Sequence, residues 1–480
     1  MQIQVTTTPA ETVEALVYLF RQDDTLADRL SFFSAAPWLV QDFKAERSQV
    51  AVVYEESKKI FLVGLGKTPN EADFMKVLRS FFYKQKQALP NVVALHLSAG
   101  NVESQWIEAI VNGSLLGHYE LGLYKTEEAK ASNFFERNSE LQIVVSPLDV
   151  EKAQKAVESG QAMAQTQMQV MDLMNAPANK KSPQKLGDWA IESGKKYGYS
   201  VQVFDENQCA ELKLHALLAV GQGSVNPPRL LVLEYIHPQA TRKVGLVGKG
   251  VTFDTGGISI KASANMHYMK SDMGGAAAVL GTLELAAKWQ LPVHLIGVIP
   301  TTENSVDGLA MKPGDVIDSY AGKTIEVIDT DAEGRLILAD GLAYLNRNYA
   351  PDVLIDLATL TGSVIGTLGY VAAGLFCNND DLSAQLRAVG QKTGEKLWPL
   401  PIWDDYQDEL KSDVADLKNY HGKPFAGAIV AAKFLEVFTE KHPAWAHLDI
   451  AGTAFADSEF GSQKSATAFG VRLLAHWLRG

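Results

Sequence analysis

The stretch from 243 to 300 opens on KVGLVGKG (243–250), continues through helix formers from Gly274 to Gln290, and ends on PVHLIGVIP (292–300). Two short apolar runs rich in β-branched residues, bounded by glycine or proline and separated by a helical run, read as strand, helix, strand. The alternation extends both ways. SVQVFD (200–205) and RLLVLEYI (229–236) precede it, and TIEVID (324–329), another helix and PDVLIDLATL (351–360) follow. This pattern predicts an α/β fold with a mainly parallel central sheet flanked by helices, its site in the loops beyond the strand C-termini.

The first third carries an α/β pattern of its own. Residues 49–65 read as two strands around a polar turn, NEADFMKVLRSFFYKQKQA (70–88) as a helix and NVVALHLS (91–98) as a strand. A helix around Ser104 to Leu116 and the strand LQIVVSP (141–147) follow. The run 149–175 is rich in helix formers and interrupted only by Gly160, as expected of a helix joining two domains. We therefore expect a smaller N-terminal α/β domain at 1–150, a linking helix at 151–175 and a larger C-terminal domain at 176–480. A chain of 480 residues is long enough for two cores.

Composition narrows the function. A net charge of −12 argues against general nucleic-acid binding, which needs clustered Lys and Arg. Two distant cysteines, Cys209 and Cys377, give neither a disulfide framework nor a cysteine zinc site, so a reducing cytoplasm fits best. The N-terminus MQIQVTTTPAET lacks a basic region followed by an apolar one, and no apolar run approaches about 18 residues. Neither secretion nor membrane spanning is expected.

Charged residues gather at three strand ends. VGKGVTFDTGGISIK (247–261) carries Lys249, Asp254 and Lys261 among glycines. MKSDMGGAAAVL (269–280) places Asp272 before Gly274 and Gly275. IDTDAEGRLILADGL (328–342) sets Asp329, Asp331, Glu333 and Arg335 at alternate positions, which would turn one way if the segment were extended. Asp254, Asp272, Asp331 and Glu333 bring too much negative charge together to lack cations. Such a set can hold two divalent ions about 3.5–4 Å apart and activate a shared water for hydrolysis. Oxygen ligands suit Mn²⁺ or Mg²⁺, and Zn²⁺ also accepts them. The ten histidines form no HExxH pattern.

Plainer readings stand beside these. Asp272 fits a helix N-cap, and Asp331 with Glu333 an acidic first turn. Met269 fits core packing, Lys249 and Lys261 solvated lysines, and Thr359, Gly362 and Ala451 packing at a strand end.

The chain resembles the leucyl aminopeptidase (M17) family, whose signature Asn-Thr-Asp-Ala-Glu-Gly-Arg-Leu is here Asp329-Thr-Asp-Ala-Glu-Gly-Arg-Leu336. Further resemblance lies in DLMNAPANKKSP (172–183), ATLTG (358–362), SDVADLKN (412–419), HLDIAGTAF (447–455) and FGVRLL (469–474). It implies a macro-like N-terminal domain before a dinuclear-metal peptidase domain. Asp254 and Glu333 would bridge two metals, Lys249 and Asp272 completing one site and Asp331 the other. Lys249 would bind as a neutral amine, which adjacent dications favour. Lys261 and Arg335 are the residues the resemblance marks as catalytic, Lys261 stabilising an oxyanion and Arg335 holding a bicarbonate that serves as base. Met269, Thr359, Leu360, Gly362 and Ala451 would line the first side-chain pocket and favour Leu-like or Met-like residues. The implied reaction is release of N-terminal residues from peptides by attack of a metal-bridged water, in a homohexamer. One departure is Asp329, an acid where the family has an amide. Other classes are a two-metal phosphoesterase, an aminopeptidase that also binds DNA as a regulator, and a nucleotide-binding module, for which neither GxxxxGK[ST] nor GxGxxG occurs in a strand-to-helix setting.

Overall fold

The computed structural model describes residues 1–24, 37–55, 57–97, 104–126, 133–457 and 461–480. The chain forms two compact units, Met1–Met168 and Gln169–Gly480, and the helix Val150–Asn175 contains the division.

In the first unit, strands β1 (Gln2–Thr6), β2 (Ala15–Arg21), β3 (Val50–Glu55), β4 (Lys58–Gly66), β5 (Val92–His96) and β6 (Glu140–Val144) form one sheet in the order β1-β6-β5-β2-β4-β3. Every pairing is parallel except the β3–β4 hairpin. Ser98, at the end of the expected strand 91–98, lies outside the described residues. The helix Glu71–Gln85 starts where Asn70 and Asp73 cap each other reciprocally, each side chain taking the other's backbone N–H. Its Phe74, Val77, Leu78 and Phe81 enter a core with Phe61, Val93 and Ile143. At about 1.5–3 kcal/mol for each fully buried large side chain, that stripe holds the helix in place.

The second unit contains β7 (Ser200–Phe204), β8 (Arg229–Ile236), β9 (Lys243–Gly248), β10 (Gly250–Asp254), β11 (His294–Asn304), β12 (Val316–Asp318), β13 (Thr324–Glu326), β14 (Val353–Ala358), β15 (Ala373–Cys377), β16 (Leu397–Pro399), β17 (Leu417–Lys418) and β18 (Trp445–Asp449). The central sheet runs β16-β15-β18-β14-β9-β11-β8-β7, and β10 also pairs with β11. Its middle, β18-β14-β9-β11, is parallel throughout, and antiparallel pairings lie toward the edges. The middle strands are buried along almost their whole length, as strands covered on both faces must be.

The structure corrects one assignment. TIEVID contributes β13 to a separate three-stranded sheet, β12-β13-β17, and not to the central sheet. That small sheet lies immediately before the Asp329–Arg335 segment and fixes its start. The long β11 pairs first with β9 and then with β10, and Lys249 occupies the break between those two strands.

Candidate metal centre

Lys249 follows the last residue of β9, Asp254 ends β10, Thr359 follows β14 and Asp449 ends β18, so the parallel strands deliver their chemistry to one edge. The Lys249 peptide is held from both sides: its N–H donates to Leu357 O at 3.0 Å and its carbonyl accepts from Ala276 N at 2.9 Å. This requires the helix Gly274–Lys288 to start against the strand, and a Cβ on Gly275 would lie 2.0 Å from Leu357 O. The Lys249 side chain is confined in turn, because a Cβ on Gly334 would lie 2.6 Å from its Cε.

Lys249 Nζ lies 2.7 Å from Asp272 Oδ2 and 2.9 Å from Glu333 Oε1, and donates to Thr359 O at 3.1 Å. Lys261 Nζ pairs with Asp254 Oδ2 at 2.8 Å and with Asp331. Asp254 Oδ1 accepts from Gly256 N at 2.8 Å and from Asn304 Nδ2 at 2.9 Å. Gly256 has φ +87°, a conformation that costs glycine little. Thr359 Oγ1 donates to Asp272 Oδ1 at 2.7 Å. Asp272 is therefore not the N-cap of the following helix, whose cap position is Met273 without a side-chain bond.

The segment 329–335 is not extended. It turns through Asp329 and Asp331 and enters the helix Glu333–Tyr349, which takes in Glu333 and Arg335. Asp329 Oδ1 accepts from Asp331 N at 2.9 Å and makes the turn. Thr330 locks it to the Asp254–Lys261 loop, its hydroxyl donating to Gly256 O at 2.7 Å and accepting from Ser259 N at 2.8 Å.

Ligand atoms of Asp254, Asp272 and Glu333 lie within 4.8 Å of one another, all buried. Burial first, and then repulsion from Asp254, pushes Asp272, Asp331 and Glu333 above the usual carboxylate range, against the pull of the lysines. Burial alone would discharge Lys249 and Lys261, but the surrounding carboxylates outweigh it and hold both ammonium groups firmly charged. Glu333 Oε2 and Asp272 Oδ2 are buried without a hydrogen-bond partner, Asp272 Oδ2 having only its ion-pair contact with Lys249. A hard oxygen donor set with unmet acceptors fits divalent cations.

A cavity of about 850 Å³ opens on this cluster. Its walls include Lys249, Asp254, Lys261, Asp272, Asp331, Glu333 and Arg335, and also Met269, Thr359, Leu360, Gly362 and Ala451, so every candidate metal, catalytic and pocket residue borders one space. Arg335 is buried, donates from Nη1 to Asn419 O at 2.6 Å, and keeps its Nε–H unpaired; burial lowers it to about 10.

Several contributors were not singled out as site residues in the sequence. Asn419 follows β17, donates from Nδ2 to Asp329 O at 2.7 Å and accepts at Oδ1 from Ile328 N at 2.8 Å, tying down the acidic turn. Asp449 accepts from Thr361 Oγ1 at 2.6 Å and from Leu360 N and Ala451 N, both at 3.2 Å, fixing one wall. Tyr420, Lys423 and Phe455 also border the cavity. Asn419 and Asp449 lie inside SDVADLKN and HLDIAGTAF, and that resemblance was the only pointer to them.

The family model described as "Cytosol aminopeptidase family, catalytic domain" matches residues 168–475. A probable cytosol aminopeptidase of Chloroherpeton thalassium is 42% identical over 462 residues, 92% of this chain and 90% of that one. Another, from Brucella melitensis, is 44% identical over 428 residues, covering 88% and 87%. Among solved structures, the bottromycin maturation enzyme BotP in complex with Mn superposes with a TM-score of 0.86 at 32% identity, covering 98% of this chain and 99% of that one. No helix among the described residues is long and apolar enough to cross a membrane. With an α/β fold of the BotP type, a buried acidic metal cluster at Asp254, Asp272 and Glu333 and relatives matching nearly end to end, the chain belongs to the cytosol aminopeptidase family of M17 metallopeptidases.

Proposed function

We propose that the protein releases N-terminal residues from peptides, with preference for Leu-like and Met-like side chains, using two divalent ions. The observation that carries this is the convergence of four carboxylates and two lysines on one cavity, with the buried Glu333 Oε2 left without a partner and Asp272 Oδ2 held only by Lys249. Asp254 and Glu333 would bridge the ions, Lys249 and Asp272 complete one site, and Asp331 the other. Bound there, the cations supply Lewis-acid polarisation of a carbonyl and a water acidic enough to act as nucleophile near neutral pH. Lys249 would join the donor set as a neutral amine with its proton given up to solvent, because cations beside Asp272 and Glu333 would replace that proton as counter-charge. Lys261, here paired with Asp254 and Asp331, would with metal bound present its ammonium to the scissile carbonyl and stabilise the developing oxyanion. Arg335, with an unpaired Nε–H, would hold a small anion such as bicarbonate, which would serve as base for the water. Met269, Thr359, Leu360, Gly362 and Ala451 receive the first side chain; a wall of one thioether, small residues and a leucine suits flexible aliphatic groups. Mn²⁺ is the first choice of metal, with Zn²⁺ and Mg²⁺ as alternatives. We also read the protein as a cytoplasmic homo-oligomer, a hexamer by family resemblance.

The test uses metal-stripped protein titrated with Mn²⁺, Zn²⁺ or Mg²⁺ against L-leucyl anilide and its N-acetyl form. Metal-restored cleavage of the free-amine substrate alone is expected. Equal cleavage of both, or none with any metal, would reject an N-terminal exopeptidase.

A further inference from the structure

Lys181 lies in DLMNAPANKKSP, outside the cavity, and none of the roles above uses it. Its side chain is almost wholly buried, and its ammonium donates to three backbone carbonyls: Leu173 O at 2.9 Å, Met174 O at 3.2 Å and Lys270 O at 2.5 Å. No carboxylate forms an ion pair with it among the described residues, and burial, with a smaller push from Lys270, lowers it to about 7. Two of the acceptors are end carbonyls of the helix Val150–Asn175, groups that the helix itself leaves unpaired.

The third acceptor belongs to the 3-10 turn Met266–Ser271. That turn starts from Asn265 at φ +66°, carries Met269 to the cavity wall and ends on Asp272, whose N–H donates to Met269 O at 3.2 Å. On the cavity side Asp272 is held by Thr359 and Lys249. Away from the cavity, Lys181 holds the residue two before Asp272 and one after Met269. Met174, which gives Lys181 one carbonyl, also lends its methyl to the start of the next helix, 3.3 Å from where a Gly274 Cβ would stand.

We propose that Lys181 is a positioning residue for the metal centre and the side-chain pocket together: by tying Lys270 O to the end of the helix Val150–Asn175, it sets where Asp272 and Met269 stand. The inference rests on the metal reading of Asp272. Three carbonyl acceptors around one nitrogen are all met only by the ammonium form, so the geometry favours the charge that burial opposes, and charge-assisted bonds of this kind anchor the turn from its far side. Residues that orient a metal ligand without touching the metal commonly change affinity by about 10–100-fold when removed, and one step further out a change of roughly 3–10-fold is expected.

The experiment compares wild type, Lys181→Met and Lys181→Arg in the full chain. Mn²⁺ affinity of the metal-stripped proteins is read by calorimetry, beside KM for L-methionyl and L-alanyl anilides and the melting temperature. Lys181→Met should weaken Mn²⁺ binding roughly 3–10-fold and raise KM for the methionyl substrate more than for the alanyl one, with Lys181→Arg recovering part of both. Should Lys181→Met fail to fold, Lys181→Gln, which keeps a donor for one or two carbonyls, is read the same way. A folded variant with a lower melting point but wild-type Mn²⁺ affinity and an unchanged KM ratio would overturn the proposal, leaving Lys181 a purely structural tie. A wild-type protein that binds no Mn²⁺ would reject the metal reading and this inference with it, whereas a binding wild type matched by its variant would reject this inference alone.

Discussion

Lys249 and Lys261 each bridge two carboxylates of one cluster, yet Lys249 does so at 3% side-chain exposure and Lys261 at 22%. Both partners of Lys249 are sealed, Asp272 and Glu333 at 9% and 1% exposed, whereas Lys261 joins one sealed carboxylate, Asp254 at 3%, to one open one, Asp331 at 33%. The charges match but the solvent does not. In the sealed half an ion pair is forced by the absence of water, and removing either partner strands the other at a cost of several kcal/mol. Around the more exposed Lys261 and Asp331 water can replace a lost partner, so a side chain there is free to move to a substrate. One half holds the site together, and the other is available to react.

The largest effect should come from the sealed half. Glu333→Ala removes an atom shared by the Lys249 pair and the acidic cluster, and activity should fall by roughly 10³-fold or more, with Mn²⁺ uptake reduced in calorimetry. Retained activity would mean that Glu333 only balances Lys249. Lys249→Met should come next. Without metal it leaves Asp272 and Glu333 uncompensated, and urea unfolding in the presence of a chelator should show a loss of about 3–5 kcal/mol. A neutral result would mean that water enters and the half is not sealed. Lys261→Met sharpens the contrast: kcat should drop about 10²–10³-fold while the urea midpoint of the metal-free protein falls less than in Lys249→Met, because Asp331 turns to solvent and buried Asp254 keeps its bonds from Gly256 N and Asn304 Nδ2. If stability and kcat fell together, the two lysines would be equivalent and the comparison would fail.

How much of this was legible depended on whether a residue's partner was local. The helices at Ser104–Leu116 and Gly274–Lys288 follow from runs of helix formers, and the three acidic clusters from charged residues set among glycines at strand ends. TIEVID was a strand by propensity, but nothing in it states which sheet it joins; that depends on β17, more than 90 residues on, pairing Ile325 with Leu417. The helix at Glu333 began earlier than its sequence announces because its cap position is Ala332, which has no capping side chain. Asn419 and Lys181 were illegible for the same reason. Each makes its telling contact with a carbonyl about 90 residues away, Asp329 O for Asn419 and Lys270 O for Lys181, and a carbonyl has no letter in the sequence.

The smallest effect should come from the one position where the chain departs from the family signature. Asp329 borders the open half, beside Asp331, and an extra carboxylate there would be expected to disturb the metals if it faced them. Its Oδ1 is instead engaged by Asp331 N at 2.9 Å, an acceptor role that an amide oxygen fills equally well. The turn is held besides by Asn419, which pairs with the Asp329 backbone and not with its side chain. Asp329→Asn should therefore leave kcat and Mn²⁺ affinity within about threefold of wild type, an energy of roughly 0.7 kcal/mol, comparable to one exposed charge interaction. The measurement is kcat against pH for both proteins in excess Mn²⁺. Coincident profiles are expected. A profile displaced by a full pH unit would mean that the Asp329 charge is felt at the reacting centre, and that the open half is tuned by a residue the turn geometry assigns only to holding the backbone.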